Sequence, residues 1–385
     1  MNSREVIQRC QELYEDLDFN YVKEWKERTG GGAIGLFPIY VTKEIIHAAG
    51  ALPIEIYGGS DLIEVVKGDS FYQSYICHIP RSTVDMGMTG KLDPLDGMIW
   101  PFTCDVVRNL TGVWKLLFPE KYSKFFDQPQ NFDQEIGGEY LVGQFKEIIS
   151  DVEKITGQKV TTEKLNQSIA LYNENRRLLS KLYEARAEEP WQVPTDEIYL
   201  LMRAGSVLEV SEFNQMIKDY LETVDQLNRK PEDKVRVIVS GAFCEQPSIS
   251  LIRAMELAGC YIVDDDFVLG NRCLDSDVEI GNEPLKAIAS AYLKSRVPSS
   301  SRYEGDTPKT KRLVQQVKDR KAEGVIFASP SFCDAALQDQ PFHQQGMDKE
   351  GIRHISFQYS EDTSQFGSIR EQIGTFTDSI KLWEA

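Results

Sequence analysis

The sequence predicts an α/β protein: two parallel-sheet domains of related topology joined by a helical section, with the active-site crevice between them. Three observations carry that prediction. Short apolar runs alternate with helical patterns at both ends of the chain, which favours mostly parallel sheets covered by helices. The middle of the chain keeps helical periodicity and loses the strand-like runs. Two distant segments also read alike: Asp96-Gly97-Met98-Ile99-Trp100-Pro101-Phe102-Thr103-Cys104-Asp105 and Glu323-Gly324-Val325-Ile326-Phe327-Ala328-Ser329-Pro330-Ser331-Phe332-Cys333-Asp334. Each is an apolar strand that ends, turns and presents a cysteine, the second with two more residues in the turn.

The first unit is expected over residues 1–133. An opening helix carries Val6, Cys10 and Leu13 on one stripe. A strand follows at 34–41, then a helix at 42–49 with Thr42 as its N-cap. Further strands are expected at 52–57, closed by Gly58-Gly59, and at 98–100. Residues 134–232 form a helical brace, in which Leu165, Ile169, Tyr172, Leu179 and Leu182 recur at helical spacing. Pro190 and Pro194 interrupt it, and Lys230-Pro231-Glu232-Asp233 ends it. The last unit, 233–385, opens with a strand at 235–241 and a helix at 249–258. A strand at 261–263 then runs into Asp264-Asp265-Asp266. The strand before Cys333, another at 354–357 and a closing helix over 365–383 complete it.

Composition narrows the function. A chain of 385 residues is long for one core. Its 41% hydrophobic and 27% charged residues describe an ordinary globular protein. The net charge of −17, from 60 acidic and 43 basic residues, argues against a nucleic-acid backbone as the main partner, because such a surface repels phosphates, and still admits a small phosphorylated ligand. No apolar run reaches the length of a membrane span, and the first residues lead into an amphipathic helix rather than a signal peptide. A cytoplasmic protein with no membrane partner is expected. Lys294, Arg296, Arg302, Lys309, Lys311, Arg312, Lys318, Arg320 and Lys321 make 294–321 locally basic. That stretch is either a dock for a nucleotide handle or acidic surface, or a solvated helix face with a loop.

Seven cysteines, an odd number and widely spaced, do not form a disulfide scaffold. Cys77, Cys104 and Cys333 each precede a helical segment, whose amino-terminal amides favour thiolates and anionic clusters. Soft thiolates suit an iron–sulfur cluster or zinc, and their scattered spacing suggests a site with one open position. The competing reading is three thiols buried as small hydrophobes. Cys10 and Cys260 read as core, and Cys273 lies in a loop with no evident partner. Cys244, after the strand at 235–241, is the spare candidate for a fourth ligand. His78, beside Cys77, is a candidate catalytic group that donates a proton or a hydrogen bond. Arg81 and Arg108 follow Cys77 and Cys104 by one helical turn, where their charge can offset a cluster. Asp264-Asp265-Asp266 either binds a hydroxyl or Mg²⁺, or caps a turn. No phosphate-binding G-x-x-x-x-G-K-[ST], dinucleotide G-x-G-x-x-G or nucleophile-elbow motif is present, so any ATP used is hydrolysed on another polypeptide.

Several stretches carry a family resemblance over essentially the whole chain. They include His47-Ala48-Ala49-Gly50-Ala51-Leu52-Pro53, the trio Cys77, Cys104 and Cys333, and Gly259 leading to Asp264-Asp265. Tyr359-Ser360-Glu361-Asp362 followed by Gly367-Ser368-Ile369-Arg370 also fits. The chain resembles the iron–sulfur family of 2-hydroxyacyl-CoA dehydratases and ATP-dependent benzoyl-CoA reductases. Within it, Gly68-Asp69-Ser70-Phe71-Tyr72-Gln73-Ser74-Tyr75-Ile76-Cys77 and Cys104-Asp105-Val106-Val107-Arg108-Asn109-Leu110 look most like the smaller non-ATPase subunit of the reductase branch.

The resemblance implies a [4Fe-4S] cluster on Cys77, Cys104 and Cys333, with no protein cysteine on the fourth iron. It implies a paralogous acyl-CoA-binding subunit and ATP-hydrolysing iron–sulfur electron-donor subunits as partners. The implied reaction reduces an aromatic acyl-CoA to a cyclic dienoyl-CoA. One alternative is a 2-hydroxyacyl-CoA dehydratase subunit working through a ketyl radical. A second is a non-catalytic, cluster-bearing structural subunit. The family's usual Gly-Gln pair is Gly367-Ser368 here, so any contact of that glutamine amide is absent.

Overall fold

The computed structural model describes residues 1–384 apart from 130, 243, 296 and 298–308. The first unit runs through α1 (Ser3–Glu15), α2 (Asn20–Thr29), β1 (Gly32–Leu36), α3 (Lys43–Ala48), β2 (Ala51–Glu55), α4 (His78–Met88), β3 (Gly97–Pro101), α5 (Asp105–Leu117) and β4 (Tyr122–Phe126). Four helices follow: α6 (Ile136–Thr156), α7 (Thr162–Glu188), α8 (Thr195–Ala204) and α9 (Val210–Thr223). The chain then forms β5 (Val235–Ser240), α10 (Ile249–Leu257), β6 (Cys260–Asp265), α11 (Pro284–Lys294) and α12 (Lys309–Asp319). It ends with β7 (Gly324–Pro330), α13 (Asp334–Glu350), β8 (Arg353–Tyr359) and α14 (Phe366–Glu384).

Two four-stranded sheets result, ordered β2-β1-β3-β4 and β6-β5-β7-β8, and every pairing is parallel. The orders are the same: each sheet begins with an inner strand, adds one neighbour, then crosses to the other side. That crossing creates a topological switch point beside the first and third strands, where open α/β sheets bind ligands. The expected α/β class and the related topology of the two sheets are both present.

The cysteine-bearing strands correspond more closely than the sequence suggests. β3 runs from Gly97 to Pro101 and β7 from Gly324 to Pro330, and each cysteine lies three residues past the proline. The two extra residues therefore lengthen the second strand and leave the turn unchanged. The first strand is shorter than its apolar run predicts. Pro38 has no N–H to continue a ladder, and Ile39 and Tyr40 take φ values of 77° and 71°. A β-branched residue in that region is strained, and the strain falls at the first sheet's switch point. β4 is a strand beyond those the sequence predicts, because Tyr122-Ser123-Lys124 lacks an apolar alternation and occupies a half-buried edge.

The helical section is bolted to both sheets. α1, fixed by a reciprocal Asn2–Glu5 capping box, packs on α8 and α9. One continuous apolar cluster includes Val6 of α1, Leu182 of α7 and Ile380 of α14. Arg186 of α7, fully buried, lies 2.5 Å from Asp265 and 3.9 Å from Asp264 at the end of β6. Arg272 and Arg320 reach the same two carboxylates at 3.3 and 2.8 Å. Asp266 accepts from the Gly241 and Ala242 amides at 2.6 and 3.1 Å and from the Ser240 hydroxyl at 3.1 Å. The acidic trio is thus engaged in structure and turn capping.

The basic stretch is likewise engaged, through Lys309–Asp339 at 2.8 Å and Lys318–Glu350 at 3.0 Å; Arg296 and Arg302 lie outside the described residues. No helix among the described residues is long and apolar enough to cross a membrane.

Candidate functional site

Cys77, Cys104 and Cys333 are the N-cap residues of α4, α5 and α13. At each helix start the first amides have no intrahelical acceptor, so a thiolate placed there is favoured. Neither Cys104 nor Cys333 makes a side-chain cap hydrogen bond, but the nearby amides of Val106 and Val107 favour the Cys104 thiolate and that of Ala336 the Cys333 thiolate. Phe332, with φ of 63° and its ring half-exposed, turns the chain sharply into Cys333.

Cys77 is supported differently. Pro80 has no N–H in the first turn of α4, and the free amides of His78 and Ile79 both donate to Glu245 Oε2, at 2.9 and 3.3 Å. Glu245 comes from the loop after β5, so the second unit caps a helix of the first. Arg81, one turn past Cys77, ties the same two parts through Asp69 at 2.7 Å and Glu361 at 3.2 Å. Arg108 is exposed.

The thiols from the two sheets lie close enough to influence one another electrostatically. The Cys77 thiol feels the charges of Cys333, Cys104 and Cys244, while Cys244 and Cys333 each feel Cys104. Burial is the main reason that all four are held in the neutral form. It pushes Cys333 up to about 12 and raises Cys104 despite the neighbouring amides; Cys77 and Cys244 are raised well above the ordinary thiol range. Mutual repulsion adds to the shift at Cys77, Cys244 and Cys333.

Thr103, 2% exposed, favours both the Cys104 and Cys244 thiolates, yet its hydroxyl has no partner of good hydrogen-bond geometry. Among the described residues no three sulfurs lie within 4.8 Å of one another, so this is not a preformed single-ion site. Crowded soft donors that resist ionisation on their own suit a cationic metal core that supplies the missing positive charge.

His78 is 3% exposed, and burial pushes its imidazole below the ordinary value. A ring nitrogen lies within 4.8 Å of carboxylate oxygens of Glu245 and Glu361, and Nε2 is buried without a partner. The remaining cysteines stay apart from this group. Cys10 is buried on α1, Cys260 Sγ donates to the Met255 carbonyl at 3.0 Å, and burial raises Cys273 to about 12. All seven are free thiols. A cavity of about 970 Å³ lies elsewhere, between α7 and α12 over the second sheet, lined by Tyr183, Ser240, Asp264 and Arg320.

Residues 38–380 match the family model for the 2-hydroxyglutaryl-CoA dehydratase D-component. The chain belongs to this family. It is 47% identical, over all of both chains, to a benzoyl-CoA reductase subunit from Thauera aromatica. It is also 26% identical to the (R)-phenyllactyl-CoA dehydratase beta subunit of Clostridium sporogenes, over 94% of this chain and 95% of that one. The beta subunit of (R)-2-hydroxyglutaryl-CoA dehydratase from Acidaminococcus fermentans is 28% identical, with 91% and 93% covered.

Proposed function

We propose that this family member is an iron–sulfur subunit of an ATP-dependent benzoyl-CoA reductase. The observation that carries the reading is the full-length 47% identity to the Thauera aromatica reductase subunit, well above its identity to the dehydratase beta subunits. Cys77, Cys104 and Cys333 hold a [4Fe-4S] cluster, which when bound supplies low-potential electron transfer. The chain's own residues shape that site. The α5 and α13 amides stabilise two of the thiolates, Glu245 fixes the start of α4, and the apolar surroundings keep water from the reacting groups.

The partners are a paralogous acyl-CoA-binding subunit and ATP-hydrolysing iron–sulfur subunits that deliver electrons. The product is a cyclic dienoyl-CoA. His78 is positioned by its backbone bond to Glu245, with an unpartnered Nε2 free to donate or accept a proton.

The test is anaerobic purification with the co-purifying partners, followed by assay with benzoyl-CoA, ATP and a strong reductant. ATP-dependent ring reduction is expected. Dehydration of a 2-hydroxyacyl-CoA without ring reduction would move the protein to the dehydratase reading, which the family model and the two dehydratase relatives favour.

A further inference from the structure

We propose that His78, Glu245 and Glu361 hold a divalent first-row cation, at a site of its own beside the cysteine trio. The proposal stands whether or not the trio carries a cluster, because it uses none of the three thiols.

The three side chains come from distant parts of the chain. His78 opens α4, Glu245 lies five residues past the end of β5, and Glu361 lies two residues past the end of β8. The fold brings one ring nitrogen of His78 and one carboxylate oxygen of each glutamate within 4.8 Å of one another. One imidazole and two carboxylates make a mixed nitrogen–oxygen donor set, which suits ions such as Mn²⁺, Fe²⁺ and Zn²⁺. No cysteine sulfur belongs to this group among the described residues.

Both glutamates are held in place by contacts outside the donor set. Glu245 Oε2 accepts the His78 and Ile79 amides at 2.9 and 3.3 Å, and the Glu245 carbonyl accepts from the Tyr359 hydroxyl at 2.9 Å. The Tyr359 bond ties the loop after β5 to the end of β8, and so to Glu361. Arg81 donates to Glu361 Oε1 at 3.2 Å and to Asp69 at 2.7 Å, while its Nε donates to the Ile76 carbonyl at 3.1 Å. Each glutamate therefore uses one oxygen for its own support and keeps the other for an ion. Supporting contacts of this kind orient the ligands of a metal site.

The imidazole is the independent sign. His78 is 3% exposed, its Nε2 is buried, and neither ring nitrogen has a hydrogen-bond partner among the described residues. A buried polar atom without a partner is costly, and an ion would satisfy the nitrogen that faces the carboxylates. Charge points the same way. Asp69 and Glu361 already share the Arg81 guanidinium, which leaves Glu245 without a cationic partner among the described residues. A divalent cation would balance that buried carboxylate. Ligation through one ring nitrogen leaves the other able to carry a proton, so His78 keeps the donor role proposed above.

The experiment uses the full chain under anaerobic conditions, with and without iron and sulfide loaded, as wild type, His78→Ala, Glu361→Gln and Asp69→Asn. Mn²⁺ is the probe, because carboxylates suit it and thiolates do not. Electron paramagnetic resonance of the aqueous ion gives affinity and stoichiometry, and its pulsed form reads nitrogen coupling from an imidazole ligand. The wild type is expected to bind a single ion with nitrogen coupling in both states, distinct from the weak surface binding that a charge of −17 brings. His78→Ala is expected to lose the coupling, and both His78→Ala and Glu361→Gln to bind at least about tenfold more weakly. Asp69→Asn, which removes a carboxylate of Arg81 outside the donor set, is expected to keep the coupling. An ion without nitrogen coupling, an ion bound only while iron and sulfide are absent, or an affinity that Glu361→Gln does not lower would overturn the proposal. If His78→Ala does not fold, the wild-type coupling and the Glu361→Gln affinity decide.

Discussion

Glu245 Oε2 accepts the His78 amide at 2.9 Å across 167 residues of sequence, and this contact makes α4 unlike the other two cysteine-capped helices. At α5 and α13 the first-turn amides favour the thiolate of the cysteine that begins the same helix. At α4 those amides belong to a carboxylate from the other half of the molecule. The position of Cys77 therefore depends on the two halves being docked.

Replacing Glu245 tests that dependence. Glu245→Ala orphans two amides in a buried setting, a loss of about 1–3 kcal/mol. Glu245→Gln keeps an acceptor oxygen and restores most of it. Urea unfolding measures the cost, and hydrogen exchange of the His78 and Ile79 amides locates it. Faster exchange at α4 in the alanine variant, without change at α5, is the expected pattern.

Arg186 is the second site of predicted sensitivity. It is fully buried against Asp265 and Asp264, and truncation leaves carboxylates with a weakened counter-charge in the core. Arg186→Met is expected to cost about 3–5 kcal/mol, measured as a drop in the urea midpoint. Arg177→Met, which breaks an exposed pair with Asp277, is expected to cost at most about 1 kcal/mol.

Glu256 gives a pH signature away from the cysteines. Burial, then the neighbouring Asp196, raises its carboxyl from the ordinary 4.5 to about 7. Between those values the folded state binds the proton that the unfolded state has released. Its contribution to stability is therefore complete below about 4.5 and is lost as the pH rises through about 7. Glu256→Gln is expected to flatten this part of the stability–pH profile, read from urea midpoints at several pH values.

The strand–turn–cysteine units around Cys104 and Cys333 are legible in the sequence because all their determinants are local: an apolar run, a proline and a helix start. Cys77 is legible as the residue before a helix. Glu245 gives no signal, since its role is fixed by a tertiary contact and nothing beside it in sequence marks a cap for a distant helix. β4 is hidden by its polar edge residues, and the early end of β1 by apolar residues that in the structure adopt positive φ. The acidic trio is ambiguous in sequence because hydroxyl binding, metal binding and turn capping draw on the same residue type. Only the positions of Arg186, Arg272 and Arg320 decide it.

The most direct test of the central claim is iron and acid-labile sulfide per chain, measured anaerobically for wild type, Cys77→Ser, Cys104→Ser, Cys333→Ser and Cys10→Ser. Loss of iron and sulfide in the three helix-capping variants, with retention in Cys10→Ser, is the predicted result. Undiminished iron in any of the three would contradict it.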